Sequence, residues 1–247
     1  MSQDESHYRA GKLEPLPGGA KYSDDVLFTY LQGTTHVDAL GHAWEGGEIY
    51  GGVSAETTVG GHTHAGVGPI ARHGIIGRGV LLDAGRHLGP ESGRLAPGAC
   101  IHLDDLLAIA EAQDVTLEPR DILVIRTGSI PRFFEDDPDQ EWGALNEPGI
   151  CYSRELVEWV HEMEIPVIGA DNLGVELVVQ EIEGNTVLIP LHVALLRNLG
   201  TVMIEVLWLE DLAEDSAEDG QYTFQFIASP LKLDAGSGSP VNPIAVK

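Results

Sequence analysis

The chain contains 247 residues, of which 43% are apolar, and 39 acidic against 14 basic side chains give it a formal net charge of −25. This length and apolar fraction exclude a disordered or collagen-like chain and predict one globular domain. Because so negative a chain repels nucleic-acid phosphates and anionic lipids, we expect neither nucleic acid nor a membrane as a partner. The start lacks a signal-peptide pattern and no apolar run reaches the roughly 20 residues of a spanning helix, so we expect a cytoplasmic protein.

The cysteine and lysine content limits the metal sites that this protein can form and indicates what kind of surface it has. Cys100 and Cys151 are the cysteines present, which excludes a four-cysteine zinc site and leaves a single disulfide open. A metal ion would therefore bind to histidines and carboxylates. Lysine is scarce among the basic residues, and an acidic, lysine-poor surface stays hydrated at high salt. The composition indicates either a halophilic protein or the bias of a GC-rich genome.

The predicted elements alternate between strands and helices. A first strand at residues 26–32 leads into the segment 33–42 and then into a glycine-rich stretch that extends to Gly68 and favours irregular loops. Beyond it, runs of strand length alternate with segments of helical periodicity. These are a strand at 79–84, a helix at 103–113, a strand at 121–127, a helix at 153–163, a strand at 166–170, a helix at 191–198, a strand at 201–209 and a strand at 222–228. The order predicts an α/β domain that ends in irregular chain.

The segment before residue 39 carries metal-binding side chains. If residues 31–38 are extended, Gln32, His36 and Asp38 point to the same face. An imidazole and a carboxylate held together suit Zn or Mn. Because an H-x-D pair alone is a weak signal, an ordinary surface or hydrogen-bonded pair is the alternative.

An acidic residue interrupts the apolar strand predicted at 201–209. This residue is Glu205, and burying its ionised carboxylate without a partner or a metal would reduce the stability of the fold by several kcal/mol. An arginine, a proton, or a metal shared with His192 at the start of the preceding helix would neutralise it. For His192, a hydrogen-bonded core histidine remains the alternative.

Several segments, in chain order, carry a resemblance to a known family. They are G-T-T-H-x-D-A-L-G-H at 33–42, H-G-I-I-G-R-G-V-L-L-D at 73–83, G-A-D-N-L-G-V-E at 169–176, H-x-x-L-L at 192–196 with Glu205 after it, and G-S-P-V-N-P-I-A at 238–245. Together they resemble the cyclase family that includes bacterial kynurenine formamidases and isatin hydrolases. The resemblance implies a swivelling β/β/α fold of the α/β class, a single domain with a mixed sheet and flanking helices at residues 22–247, and an N-terminal extension at 1–21. It also implies a homodimer or homotetramer.

The resemblance assigns roles to individual residues. The family's metal ligands match His36, Asp38, His192 and Glu205, and its general base matches His42. Gln32 stands where the family motif has its first histidine. An amide oxygen is a poorer zinc ligand than an imidazole, so Gln32 is a candidate ligand that completes the site or bridges to a second ion.

The activity implied by the resemblance is hydrolysis of a small amide or lactam. A divalent metal, Zn or Mn, would activate a water molecule, and His42 would move its proton. Trp44 and Tyr50 are candidates for an aromatic wall that contacts the substrate, with core packing as the alternative. Asp171 and Glu176 are candidates for contact with the substrate or with Arg78, and a helix or turn cap is the alternative for Asp171. Two other classes stay open: a cyclase or dehydratase that uses the metal as a Lewis acid on a polyketide-like chain, and a non-catalytic ligand-binding protein.

Overall fold

The computed structural model describes residues 2–3, 17–19, 25–90, 92–134 and 145–247. The extension predicted at residues 1–21 lies mostly outside these ranges. The helices within these ranges lack the length and apolar character that a membrane-spanning segment needs.

Sixteen strands are defined in the described residues, and many are short. They are β1 (Ser2–Gln3), β2 (Asp25–Val26), β3 (His36–Asp38), β4 (Glu48–Ile49), β5 (Val53–Ser54), β6 (Ile75–Asp83), β7 (Cys100–Ile101), β8 (Ile122–Arg126), β9 (Gly149–Ile150), β10 (Val167–Ala170), β11 (Val179–Ile182), β12 (Asn185–Leu188), β13 (Val202–Glu205), β14 (Thr223–Ala228), β15 (Gly238–Pro240) and β16 (Ile244–Val246). The helices are Gly68–His73, Ala84–Leu88, Leu103–Ala112, Arg154–Glu162, the π-helix His192–Leu199 and Glu210–Asp219, with 3-10 turns at Ala55–Thr58 and Ile130–Phe134.

An eight-stranded mixed sheet, in the order β15-β3-β13-β10-β8-β6-β14-β16, forms the centre of the domain. Strands β13, β10, β8 and β6 are parallel to one another. Strands β3 and β14 flank this group antiparallel to it, and β15 and β16 add the two edges. The predicted single α/β domain with a mixed sheet and flanking helices is confirmed.

Both faces of the sheet are covered by apolar side chains. On one face, Leu106, Leu156 and Leu195 of three helices pack against β-strand residues such as Leu82. On the other face, Ala213 of the helix Glu210–Asp219 belongs to a second apolar cluster. Burial on both faces explains why the parallel strands have continuous apolar sequences, without the alternation of a half-exposed strand.

The helix boundaries follow their capping residues. The side chain of Ser153 accepts a hydrogen bond from the amide of Leu156 at 3.1 Å and begins the helix Arg154–Glu162. Gly200 has a φ of 78° and ends the π-helix. The predicted helices at 103–113, 153–163 and 191–198 are thereby confirmed to within about two residues.

Three predicted segments differ from the structure. Of the first predicted strand, at residues 26–32, only Val26 lies in a paired strand, and Phe28 is 96% exposed in irregular chain. The strand predicted at 201–209 ends at Glu205, because Val206 takes a φ of 56°. The C-terminal chain predicted as irregular instead forms β15 and β16. The helix Glu210–Asp219 was also not predicted.

A disulfide joins Cys100 and Cys151, whose Cα atoms lie 5.5 Å apart. Cys100 lies in β7 and Cys151 follows β9, and these two strands pair in parallel. The single bridge that the sequence left open is therefore present in the structure.

Candidate metal centre

Two neighbouring antiparallel strands assemble the centre. The pairing of β3 with β13 sets His36 directly opposite Glu205. His36 Nε2 lies 3.3 Å from Glu205 Oε2 and 3.5 Å from Asp38 Oδ1. One ligand atom from each of the three residues lies within 4.8 Å of the others, and the three side chains are buried. Residues separated by more than 160 positions in the sequence thus form one cluster.

His192 approaches the same cluster from the start of the π-helix. Its Nε2 lies 3.1 Å from Glu205 Oε1 and 3.8 Å from Asp38 Oδ2. The four residues that the sequence proposed as main ligands are therefore brought together, although they come from β3, β13 and a helix.

Each imidazole is oriented by a hydrogen bond on its far side. His36 Nδ1 donates to the main-chain oxygen of Thr34 at 2.7 Å, and His192 Nδ1 lies 2.6 Å from Glu176 Oε1. Glu176 also accepts from the amides of Leu191 and His192, at 2.7 and 2.8 Å. These bonds turn both Nε2 atoms toward the carboxylates, which is the arrangement that metal-ligating histidines usually have.

The buried atoms of this cluster fit a divalent cation. Among the described residues, His36 Nε2, both carboxylate oxygens of Asp38 and Glu205 Oε1 are buried and have no hydrogen-bond partner. Buried lone pairs without a donor are costly, and a cation would accept all of them. Two imidazoles and two carboxylates are a donor set that suits Zn or Mn.

The charges within the cluster are strongly coupled. Burial lowers the pKa of His36, but Asp38 and Glu205 outweigh burial and raise it to about 10. The pKa of His192 is also raised, because Asp38, Glu176 and Glu205 outweigh its burial. Burial favours neutral Asp38, yet the neighbouring imidazoles of His192 and His36 hold its pKa well below the usual range. Protons on the imidazoles therefore occupy the electrostatic role that a divalent cation would take.

His42 lies beside the cluster and has access to solvent. Its side chain is 34% exposed, and Nε2 lies 3.8 Å from Asp38 Oδ1. The amide nitrogen of Gln32 lies 3.5 Å from His42 Nδ1 and donates to Ser237 Oγ at 3.1 Å. The predicted extended backbone over residues 31–38 is wrong, since residues 31–35 form turns and bends. From this turn Gln32 contacts His42, and its role as a metal ligand stays a prediction.

The three predicted substrate contacts have different surroundings. Trp44 is 41% exposed. The ring of Tyr50 lies so close to Gly200 that an added Cβ there would be 2.7 Å from it. Asp171 is fully buried and accepts hydrogen bonds from the amide and hydroxyl of Thr127 and from the amide of Gly128. These bonds hold the loop after β8; the substrate contacts of all three residues stay predictions.

Glu176 is a functional candidate whose role the sequence did not reveal. It ends the G-A-D-N-L-G-V-E segment and was a candidate only for contact with substrate or with Arg78. Arg78 instead pairs with Asp121 at 2.7 Å. No local pattern links Glu176 to a histidine 16 residues later, so the contact required the tertiary structure.

Comparisons with known proteins agree with this architecture. The sequence profile of a family described as "Putative cyclase" matches residues 3–177. The crystal structure of a novel cyclase is 38% identical, with a TM-score of 0.80 over 92% of this chain and 72% of that one. An isatin hydrolase bound to the product analogue thioisatinate is 17% identical, with a TM-score of 0.64 over 91% of this chain and 75% of that one.

A third solved structure has the same fold. Isatin hydrolase A from Labrenzia aggregata, bound to benzyl benzoate, is 20% identical, with a TM-score of 0.58 over 85% of this chain and 71% of that one. No curated protein sequence matches the chain. The profile match, which covers more than half of the sequence, and the novel cyclase at 38% identity establish that this chain belongs to the cyclase family.

Proposed function

We propose that this protein is a divalent-metal-dependent hydrolase that cleaves the C–N bond of a small amide or lactam. The observation that carries the proposal is the group of buried, unpartnered ligand atoms on His36, Asp38 and Glu205, next to a partly exposed His42. The isatin hydrolases of the same fold support the choice of a C–N bond. A purely structural cluster would gain nothing from leaving these atoms without partners.

In the proposed mechanism, four residues of the metal centre would bind the ion, and His42 would transfer a proton. When bound, the ion supplies a Lewis acid that polarises a carbonyl and lowers the pKa of water. Asp38 and Glu205 would offset its charge, and His36 and His192 would hold it through their Nε2 atoms, whose direction Thr34 and Glu176 fix.

His42 would act as the general base and then as the acid. Its Nε2, the ring nitrogen nearer to Asp38, would receive a proton from the attacking water and return it to the leaving nitrogen. Because the side chain is partly exposed, the proton can also exchange with solvent. We propose Zn or Mn as the ion, a small-molecule substrate, and a homodimer or homotetramer acting in the cytoplasm.

The test is hydrolysis by the purified protein after loading with Zn²⁺ or Mn²⁺. We expect turnover of an N-formyl aromatic amine or a lactam, with ¹⁸O from labelled water in the acid product. Glu205→Gln should lower both the bound metal and the turnover, whereas Glu162→Gln on an exposed helix surface should change neither. A fully metal-loaded wild-type protein that hydrolyses neither class would refute the proposal, and turnover without ¹⁸O uptake would favour a cyclase or dehydratase.

A further inference from the structure

The Cys100–Cys151 disulfide joins a very short pair of strands. β7 and β9 pair over two residues each, and the amide of Cys151 donates to Ile101 at 2.9 Å next to the bridge. A pair of this length is marginal in water without a further restraint. The covalent bridge, between residues 51 positions apart in the sequence, supplies that restraint. It therefore fixes the position of Ile150, the neighbour of Cys151.

Strand β9 in turn holds the chain around Glu176. The amide of Ile150 donates to Val175 at 3.1 Å, and its main-chain oxygen accepts from Leu177 at 3.0 Å. A Cβ at Gly149 would lie 2.2 Å from the carbonyl carbon of Glu176, which shows how closely the two backbones approach. A displacement of β9 would thus be transmitted to the backbone on both sides of Glu176.

A second set of contacts leads from the disulfide to the carboxylate itself. The amide of Tyr152, the residue after Cys151, donates to Gln180 Oε1 at 2.8 Å, and Gln180 Nε2 donates to Glu176 Oε2 at 3.3 Å. The other carboxylate oxygen of Glu176 lies 2.6 Å from His192 Nδ1. Both neighbours of Cys151 are therefore connected to the residue that orients a candidate metal ligand.

The bridge is accessible at one of its two sulfurs. Cys100 is partly exposed, whereas Cys151 is 7% exposed, so an external thiolate would attack Cys100 Sγ. His102 is exposed, and its Nε2 lies 3.2 Å from Cys100 Sγ. A protonated imidazole at this distance stabilises a thiolate on Cys100, and a stabilised thiolate leaves more readily in thiol–disulfide exchange.

We propose that the Cys100–Cys151 bond is a thiol–disulfide exchange site whose reduction by a small dithiol weakens metal binding at the centre. One thiolate of the dithiol attacks Cys100 Sγ and releases Cys151, and the second thiolate then attacks the dithiol's own sulfur in the mixed disulfide and releases Cys100. The two protons that the dithiol gives up pass through solvent to the two cysteines. The dithiol is oxidised to a cyclic disulfide, and the protein bridge is reduced to two thiols.

The consequence for the metal centre follows from the contacts of Glu176. Without the bridge, β9 is held less firmly, so Glu176 and the ring of His192 are less well oriented toward the ion. The inference rests on the metal centre of the proposed function but not on the bond that the enzyme cleaves. In the cytoplasm proposed above, disulfides that form are usually catalytic or redox-sensing, which favours a regulatory bond over a permanent one.

The experiment compares Mn²⁺ binding by oxidised and reduced wild type. Mn²⁺ is the probe because free thiolates prefer softer ions such as zinc and would bind them directly. The protein is reduced with dithiothreitol, which is then removed by gel filtration without oxygen, and the free-thiol content confirms the state. We expect reduction to lower the Mn²⁺ affinity about three- to tenfold, less than the roughly 10- to 100-fold typical of losing an orienting group outright.

A variant without the bridge is the matched control. The double substitution Cys100→Ser with Cys151→Ser should bind Mn²⁺ as weakly as reduced wild type, and dithiothreitol should not change its affinity. Affinity equal to that of oxidised wild type would contradict the inference. If the variant does not fold, the comparison of the two wild-type states decides.

Amide hydrogen exchange of the metal-free protein tests the connection to Glu176 without any ion. The amide of Leu177 is bonded to Ile150, and those of Leu191 and His192 are bonded to the Glu176 carboxylate. All three should exchange faster in the reduced state than in the oxidised state. The amides of the central strand β8 should exchange at the same rate in both states and show that the domain stays folded.

Each outcome separates this inference from the proposed function. Equal Mn²⁺ affinity in the two states, or equal exchange of the three amides, overturns the inference and leaves the hydrolase standing. Faster exchange throughout, including β8, makes the bridge a general stabiliser of the fold and also overturns it. If the oxidised protein binds neither Mn²⁺ nor Zn²⁺, the proposed function fails and this inference fails with it.

Discussion

The carboxylate of Glu176 binds the imidazole of His192 from behind, with Oε1 2.6 Å from Nδ1, while Nε2 of the same ring faces Glu205. The carboxylate also accepts the main-chain amide of His192, so ring and backbone are fixed by one group. Such a contact sets which nitrogen is free for a metal and increases the basicity of the ligand. It makes Glu176 a positioning residue for the metal centre.

Replacing Glu176 by Gln should weaken metal binding without removing a ligand. We expect about 10- to 100-fold lower affinity for Zn²⁺, because the amide no longer carries the charge that orients and polarises His192. Competition with a chelator of known affinity measures this change. Glu183→Gln, in an exposed turn, is the matched control, and equal affinities of the two variants would contradict the role of Glu176.

Substitutions of His36 and His42 should have different effects on metal and turnover. His36→Ala removes a proposed ligand nitrogen, so bound metal and turnover should fall together. His42→Ala should keep the metal and lower the rate by about 10²- to 10⁴-fold, the usual contribution of general acid–base catalysis. Metal stoichiometry and turnover are measured side by side. Equal metal loss in both variants would make His42 a ligand, and an unchanged rate in His42→Ala would exclude it as the base.

The metal-free protein should lose stability as the pH rises. His36 has a pKa of about 10 in the folded protein, above its ordinary value of 6.5, because Asp38 and Glu205 outweigh burial. Its protonation therefore stabilises the fold fully below about pH 6.5, and this contribution disappears as the pH rises through about 10. Chelator-treated protein should show a falling Tm between pH 7 and pH 10, and His36→Gln should flatten that decline.

Metal binding should remove this pH dependence. A coordinated imidazole is neutral, so protein loaded with one ion per chain should lack the decline that His36 causes, and zinc affinity should increase with pH over the same range. Parallel thermal scans of loaded and metal-free protein make the comparison. Two curves with the same slope would show that His36 does not bind the ion.

Salt should stabilise the folded chain. With a formal net charge of −25, self-repulsion acts over a Debye length of about 30 Å at 0.01 M salt but only about 3 Å at 1 M. We expect the Tm to rise with KCl between these concentrations. A flat or falling Tm would remove the argument for halophily and leave the compositional bias as the explanation.

The sequence alone determined the class of fold and the candidate ligands. Apolar periodicity and caps located the helices around Leu106, Leu156 and Leu195, because these signals lie within one or two turns of chain. Glu205 could be identified as a candidate because a carboxylate in an apolar strand is costly to bury without a cation or a proton to neutralise it. The family motifs then connected it to His36, although they could not show a contact between the two.

Only the tertiary structure decided which residues meet. The register between β3 and β13 sets His36 against Glu205, and the burial of Glu176 under the π-helix gives His192 its orientation. Cross-strand register and long-range burial depend on the packing of the whole sheet, which local periodicity does not encode. The same reason explains the wrong strand at residues 26–32: its sequence favours extended chain, yet most of it has no strand to pair with.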